Sequence, residues 1–125
     1  MKSVLAVTAV VEAGAGLALL VLPALAYSQL FGSAPDTPAG VTVTRIAGAA
    51  LVAIGLACWF VRHEPKSRAA RGLVGTLVLY NAVVLAVLVH SGLSAGLSSD
   101  GLWPAASVHA AMAVWCAVSL FRSPA

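Results

Sequence analysis

Residues 72–91 read GLVGTLVLYNAVVLAVLVHS, a run of twenty residues without a single Asp, Glu, Lys or Arg. An α-helix rises about 1.5 Å per residue, so about 20 residues cross the ~30 Å hydrocarbon layer of a membrane. Because backbone polar groups find no water in that layer, a segment that crosses it must be helical. This stretch therefore predicts a transmembrane helix.

Three more apolar runs of similar length lie at about residues 3–25, 41–61 and 103–121. The chain has 125 residues, of which 61% are hydrophobic and 9% charged, and its mean hydropathy is +1.00. Soluble domains have about 25% charged residues, and a small one cannot hide this much apolar surface from water. We therefore predict an all-α integral membrane four-helix bundle that forms a single domain over residues 1–125.

The basic residues are concentrated on one side of the predicted bundle. Four of the seven Lys and Arg residues lie in the loop 62–71, and Lys2 and Arg122 fall on the same side of the membrane. The positive-inside rule makes that side cytoplasmic, so both termini are predicted to be inside. The asymmetry is typical of a bacterial inner-membrane protein, and it accounts for the net charge of +3 without nucleic-acid binding.

The N-terminal segment also has features of a secretory signal peptide. Lys2 precedes an apolar run, and residues 24–26 form an Ala-x-Ala pattern. However, the run is longer than the usual 7–15 residues of such a peptide and is interrupted by Glu12. We therefore expect it to be the first transmembrane helix, with cleavage as the alternative.

Polar side chains within the spans are the candidates for function, because a charge at mid-membrane costs roughly 2.5–3.5 kcal/mol. Glu12 lies near the middle of the first span, where helical spacing places it on one stripe with Thr8, Ala15, Gly16, Leu19 and Pro23. That stripe of small and polar residues is predicted to face the bundle interior. Glu12 is then either a proton-binding or ligand-binding carboxyl, or a structural hydrogen-bonding group.

Three further spans contribute to the predicted site. Asn81 lies at a depth similar to that of Glu12, with Tyr80 beside it, and His109 lies about two turns into the fourth span. Arg45 lies near the outer rim of the second span, where it either points inward or extends to the interface. We predict a polar pocket formed by these residues, open to the outer side and closed toward the cytoplasm.

A weak internal repeat accompanies this arrangement. The first and third spans each carry a central polar residue, Glu12 and Asn81, whereas the second and fourth carry a basic residue nearer the outside, Arg45 and His109. The repeat is suggestive of two helical hairpins.

The sequence also argues against metal binding, nucleophilic catalysis and a haem held by two histidines. Cys58 and Cys116 lie in apolar segments without metal-ligand spacing, and no nucleophile stands in a pattern with a base. His90 is half a turn out of phase with Asn81, which disfavours a haem held by His90 and His109. We therefore predict no catalytic and no metal-binding residues.

Several short motifs along the chain resemble the DoxX-like proteins, small bacterial proteins with four transmembrane helices. These motifs are Leu22-Pro23, Leu30-Phe31-Gly32, Arg45-Ile46-Ala47-Gly48, Cys58-Trp59, Tyr80-Asn81, Trp103-Pro104 and His109. The resemblance covers most of the chain. It implies a four-helix membrane fold and hints at a role as an accessory subunit of a membrane redox system.

A second resemblance is to the small multidrug resistance exporters, which also have four short helices and a glutamate in the first, where Glu12 stands. The one-sided charge and the aromatic content of 6% depart from that family.

The sequence favours a non-catalytic membrane protein, either ligand-binding or an accessory subunit, that assembles with itself or with a partner membrane subunit. The alternatives are a proton-coupled small-molecule transporter using Glu12 and a membrane redox protein that binds haem or quinone through His109. No cofactor is identified by the sequence.

Overall fold

The computed structural model describes residues 1–122, which contain five helices and no strand. The helices are α1 (Lys2–Val21), α2 (Pro23–Phe31), α3 (Pro38–Val61), α4 (Arg68–Ser94) and α5 (Leu102–Phe121). All except the nine-residue α2 are long and apolar enough to cross a membrane. The prediction of an all-α protein with four such helices is therefore confirmed.

The first predicted helix is broken near its end, and this is the main departure from the sequence prediction. We expected it to run to about residue 25, but α1 ends at Val21 and Leu22 leaves the helical region with φ −124° and ψ 55°. The break follows from Pro23, which has no N–H to donate and whose ring clashes with the preceding turn. Pro23 instead begins α2, because proline fits the first turn of a helix.

The starts of α3 and α4 follow from their local sequence. The hydroxyl of Thr37 accepts a hydrogen bond from the amide of Gly40, and that of Ser67 accepts one from Ala70, as N-cap residues do. These caps start α3 and α4 a few residues earlier than the apolar runs predicted. Helix α5 begins after Gly101, without a side-chain cap.

The helices pack as two hairpins, one formed by α1 and α3 and the other by α4 and α5. Within the first hairpin the backbones nearly touch: a Cβ atom added to Gly16 would lie 2.6 Å from the carbonyl oxygen of Gly48. Small residues permit this approach, which gives close van der Waals contact between helices. The α1–α3 and α4–α5 pairs are much more closely packed than any pair that joins the two hairpins.

The two hairpins meet in a buried apolar core at one end of the bundle. Val4 and Leu5 of α1 pack there with Cys58 of α3, Val74 of α4 and Cys116 of α5. We call this the basic end, because Lys2 and the loop between α3 and α4 lie on its side, and we call the opposite end the α2 end. Elsewhere, contacts between the two hairpins are sparse.

Large apolar side chains cover much of the outer surface of the bundle. Val10, Ile46 and Phe60 are 66%, 64% and 72% exposed, and the exposed set extends along all four long helices. A monomeric soluble protein rarely exposes so many large apolar side chains on all of its helices. The surface therefore suits the multi-pass membrane protein that the helix lengths indicate.

Candidate functional site

A cavity of about 280 Å³ lies between the two hairpins, in the half of the bundle nearer to α2. Its walls include residues of all five helices. Aliphatic side chains supply most of the wall, and the polar residues that line it are Glu12, Tyr80, Asn81 and His109. The structure thus brings together four of the five residues predicted to form the site.

Glu12 and Tyr80 join the two hairpins across the cavity. Glu12, on α1, is only 5% exposed, and its Oε2 atom accepts a hydrogen bond of 3.4 Å from the hydroxyl of Tyr80 on α4. The other carboxyl oxygen, Oε1, makes no hydrogen bond with the residues that the structure describes. Glu12 therefore retains hydrogen-bonding capacity toward the cavity.

Asn81 and His109 form a second polar pair, within the α4–α5 hairpin. The Nδ1 atom of His109 lies 2.8 Å from Oδ1 of Asn81, and Nδ2 of Asn81 donates a 2.8 Å hydrogen bond to the carbonyl oxygen of Leu77. The His109 ring also meets the ring of Tyr80 edge to face, with centroids 5.8 Å apart. These contacts fix the orientation of both polar side chains at the cavity wall.

The structure does not bring Arg45 to this site. Arg45 is exposed on α3, whereas its neighbour Thr44 is buried. The inward alternative for Arg45 is therefore wrong, because its side chain lies on the outer surface of the bundle, as an anchor at the interface would. His90 is also exposed, as its phase relative to Asn81 predicted, so it does not pair with His109.

Thr8 lies one helical turn from Glu12, toward the basic end, and is completely buried, but its hydroxyl has no hydrogen-bond partner among the described residues. Threonines elsewhere in the bundle donate to a carbonyl oxygen of their own helix, as Thr44 does to Gly40. A buried polar group without a partner costs free energy. The predicted stripe is therefore buried at Thr8, Glu12, Gly16 and Pro23 but exposed at Ala15, and Thr8 is not part of the hydrogen-bonded site.

The cavity opens sideways, which differs from the predicted opening toward the outer side. Its exposed lining residues lie on two helices, with Val11, Ala15 and Ala18 on α1 and Val108 on α5. At the α2 end the cavity is covered by Ala26 and Leu30. The opening therefore lies between α1 and α5, on the apolar flank of the bundle.

Helix α2 is held in this covering position by the loop between α4 and α5. The amide of Gly101 donates a 3.1 Å hydrogen bond to the carbonyl oxygen of Gln29, and the hydroxyl of Ser99 donates one of 2.7 Å to that of Leu30. These bonds satisfy carbonyl groups that the end of a helix otherwise leaves free. Any side chain at position 101 would collide with Gln29, which explains the glycine there.

No local pattern in the sequence predicts this loop contact, and only the start of α2 has a local signal. The Leu22-Pro23 pair was visible, and proline near the end of an apolar run is a signal for a helix break. The pairing of Ser99 and Gly101 with α2 was not detectable, because it joins residues about seventy positions apart.

The described residues contain no group of three or more His, Cys, Asp or Glu side chains placed to share a metal ion. Cys58 and Cys116 are buried free thiols in the core of the basic end. The arrangement at the cavity is suited to hydrogen bonding with a ligand.

In comparisons with known proteins, no family model, no curated protein and no solved structure matches the chain. The resemblance to the DoxX-like proteins therefore stays a prediction.

Proposed function

We propose that this protein binds a small, largely apolar molecule within the membrane, as a ligand-binding or accessory subunit without catalytic activity of its own. The observation that carries the proposal is the cavity between the hairpins, with the two polar pairs Glu12–Tyr80 and Asn81–His109 at its wall. Ligand sites are typically apolar cavities with a few placed polar groups that fix orientation. This cavity has that composition.

The energetic cost of the polar residues supports a binding role. Intramembrane ionisable residues are rare and usually functional, and Glu12 is the only acidic residue within the five helices. The hydrogen bond of Glu12 to Tyr80 is long and leaves one carboxyl oxygen free, so the bundle itself does not fully use this carboxyl. A ligand that hydrogen-bonds in the cavity would use it.

Native mass spectrometry of the protein released from its own membrane tests this proposal. We expect a bound small molecule on the wild-type protein and none on Ala105→Phe, which fills the cavity from its α5 wall. The control is Ala111→Phe, an exposed position on the same helix that does not line the cavity. An adduct that is absent from the wild type, or equally retained by both variants, would contradict the proposal.

Glu12 also supports a second candidate function, a proton-coupled transporter, because a lone carboxyl in a membrane cavity can carry a proton. Glu12→Gln keeps the shape and the hydrogen bond with Tyr80 but cannot ionise. Proton-driven uptake or efflux by the wild type that is lost in this variant would favour the transporter. Transport that persists in the variant would exclude a role of Glu12 as the proton carrier.

We propose further that the basic end faces the cytoplasm of a bacterial inner membrane, as the charge distribution indicates. Trp59 and Arg62 support an interface at this end, because the guanidinium lies 3.1 Å from the centre of the indole ring. A membrane-impermeant maleimide added to intact cells should label Ser98→Cys and not Ala69→Cys, both at exposed positions. The reverse pattern would invert the orientation. Cys58 and Cys116 are fully buried and should not interfere.

An accessory role requires a partner membrane subunit or a second copy of the chain, as the resemblance to the DoxX-like proteins implies. The exposed apolar flanks of α1 and α3 offer room for such contacts. Purification in a mild detergent at native expression should recover an assembly larger than one chain with its lipid shell. A monomer without other subunits would contradict the accessory role and leave ligand binding as the proposal.

A further inference from the structure

The hydrogen bonds of Asn81 determine which nitrogen of His109 carries a proton. Nδ2 of Asn81 lies 2.8 Å from the carbonyl oxygen of Leu77, which can only accept, so this atom is the NH₂ group. The atom that faces His109 is then the amide oxygen, which also can only accept. The 2.8 Å contact therefore requires that Nδ1 of His109 donates.

A neutral imidazole that donates from Nδ1 has a bare, hydrogen-bond-accepting Nε2. His109 lines the cavity, and its Nε2 atom has no hydrogen-bond partner among the described residues. The ring of Tyr80 meets that of His109 edge to face, but the hydroxyl of Tyr80 is directed to Glu12. The cavity wall thus presents an acceptor that no protein group satisfies.

The rest of the cavity restricts what can satisfy this acceptor. Its exposed mouth residues are Val11, Ala15, Ala18 and Val108, so a molecule enters between α1 and α5 from the acyl-chain layer. Transfer of a charged molecule from water into that layer costs a large desolvation free energy. At the α2 end the cavity wall is formed by Ala26 and Leu30, and the carbonyl oxygen of Leu30 accepts a hydrogen bond from the hydroxyl of Ser99. A molecule that takes this route is therefore neutral and soluble in lipid.

We propose that the ligand is a lipid-soluble alcohol or phenol, which enters sideways between α1 and α5 and donates its hydroxyl hydrogen to Nε2 of His109. This inference rests on the proposed ligand-binding function and specifies its chemical class. The free Oε1 atom of Glu12 is the second hydrogen-bonding group available to such a ligand. The aliphatic wall contacts its apolar body.

A pair of probes with the same shape tests the hydroxyl directly. We would titrate 1-naphthol and 1-methylnaphthalene into the protein in phosphatidylcholine nanodiscs by calorimetry and subtract partition into empty nanodiscs. One hydrogen bond to the protein should make 1-naphthol bind about fivefold more tightly. In His109→Phe the two probes should bind equally. His90→Phe, the control at an exposed histidine of α4, should keep the preference.

Equal binding of both probes to the wild-type protein would overturn the inference and leave the proposed cavity function standing. Failure of both probes to bind would overturn the inference, whereas a native adduct lost in Ala105→Phe would still support the proposed function.

A second measurement does not depend on any variant folding. Nitrogen-15 NMR of histidine-labelled wild-type protein should show a protonated Nδ1 and an unprotonated Nε2 for His109, and added 1-naphthol should shift the Nε2 resonance. A proton on Nε2 with a bare Nδ1 would overturn the inference.

Discussion

The hydroxyl of Tyr80 lies 3.4 Å from Oε2 of Glu12, and this hydrogen bond links the α1–α3 hairpin to the α4–α5 hairpin inside the apolar bundle. The Asn81–His109 contact is shorter, at 2.8 Å, but lies within one hairpin. The polar site is therefore tied most firmly to the second hairpin, and the first hairpin contributes Glu12 through a longer bond. This geometry leaves the space between the hairpins available to a ligand.

Removing the Tyr80 hydroxyl should have a small effect on stability. Hydrogen bonds between membrane helices are worth about 0.6 kcal/mol on average, and a length of 3.4 Å places this one among the weaker bonds. We expect Tyr80→Phe to lower the free energy of unfolding by less than about 1 kcal/mol. Asn81→Leu should cost more, because it leaves Nδ1 of His109 without its acceptor.

Both variants are compared by reversible unfolding in mixed micelles. A larger loss for Tyr80→Phe than for Asn81→Leu would show that the link between hairpins, rather than the pair within one hairpin, holds the site together.

Close packing of α1 on α3 should make Gly16 intolerant of any side chain. A Cβ atom there would lie 2.6 Å from the carbonyl oxygen of Gly48 and 2.7 Å from the amide nitrogen of Val52. Both are backbone atoms, so the collision can be relieved only by a shift of the whole α3 segment. We expect Gly16→Ala to cost about 1–3 kcal/mol of unfolding free energy, as overpacking does. Thermal unfolding in micelles measures the loss.

Gly14 provides the matched control on the same helix, because a Cβ atom added there meets nothing within 4 Å. Gly14→Ala should be neutral or stabilising by up to about 1 kcal/mol, since alanine is the better helix former. Equal losses from the two substitutions would mean that α1 and α3 do not pack as described.

Thr8 should be replaceable by valine with a gain in stability. Its hydroxyl is fully buried without a partner, and such a group costs about 1–3 kcal/mol. Valine has nearly the same shape and a similar helix propensity. We therefore expect Thr8→Val to raise the free energy of unfolding by about 1 kcal/mol.

Thr44 is the control for this substitution, because it is also buried but donates a 2.8 Å hydrogen bond to the carbonyl oxygen of Gly40. Thr44→Val should give no gain. If Thr8→Val is destabilising instead, the hydroxyl of Thr8 has a partner, such as a buried water molecule.

The cover formed by α2 should loosen when its contact with the α4–α5 loop is removed. Ser99→Ala deletes the hydrogen bond to the carbonyl oxygen of Leu30 at the end of α2. We expect faster hydrogen exchange across residues 23–32, measured by mass spectrometry, with no change in α4. Ser98→Ala is the control, because the described structure shows no hydrogen bond from the Ser98 side chain. Unchanged exchange in Ser99→Ala would show that α2 is held by other contacts.

The long helices were predictable because their physical cause is local. A run such as residues 72–91 has the length and composition of a membrane span whatever its neighbours are. The break at Leu22 was missed because the apolar composition continues through Pro23, so hydropathy alone extends the helix to about residue 25. The geometry that Pro23 imposes on the backbone outweighs this apolar composition and ends the helix.

The site was predictable in part, because helical phase places Glu12 and Asn81 at one depth on inward faces. For Arg45 the sequence leaves an inward and an interfacial position open, because a long cationic side chain near a helix end can face outward at little cost. The side of the cavity that opens was not predictable, since it depends on the tilt of α1 against α5 and on the fold of α2 over the bundle end.

An experimental density map of the protein in native-membrane nanodiscs is the most direct test that a molecule occupies this cavity. We predict non-protein density between the hairpins, with a polar atom within about 3.2 Å of Nε2 of His109 or Oε1 of Glu12. A closed interface in which Val11 and Val108 fill the space, or density only of acyl chains that do not reach either atom, would contradict it.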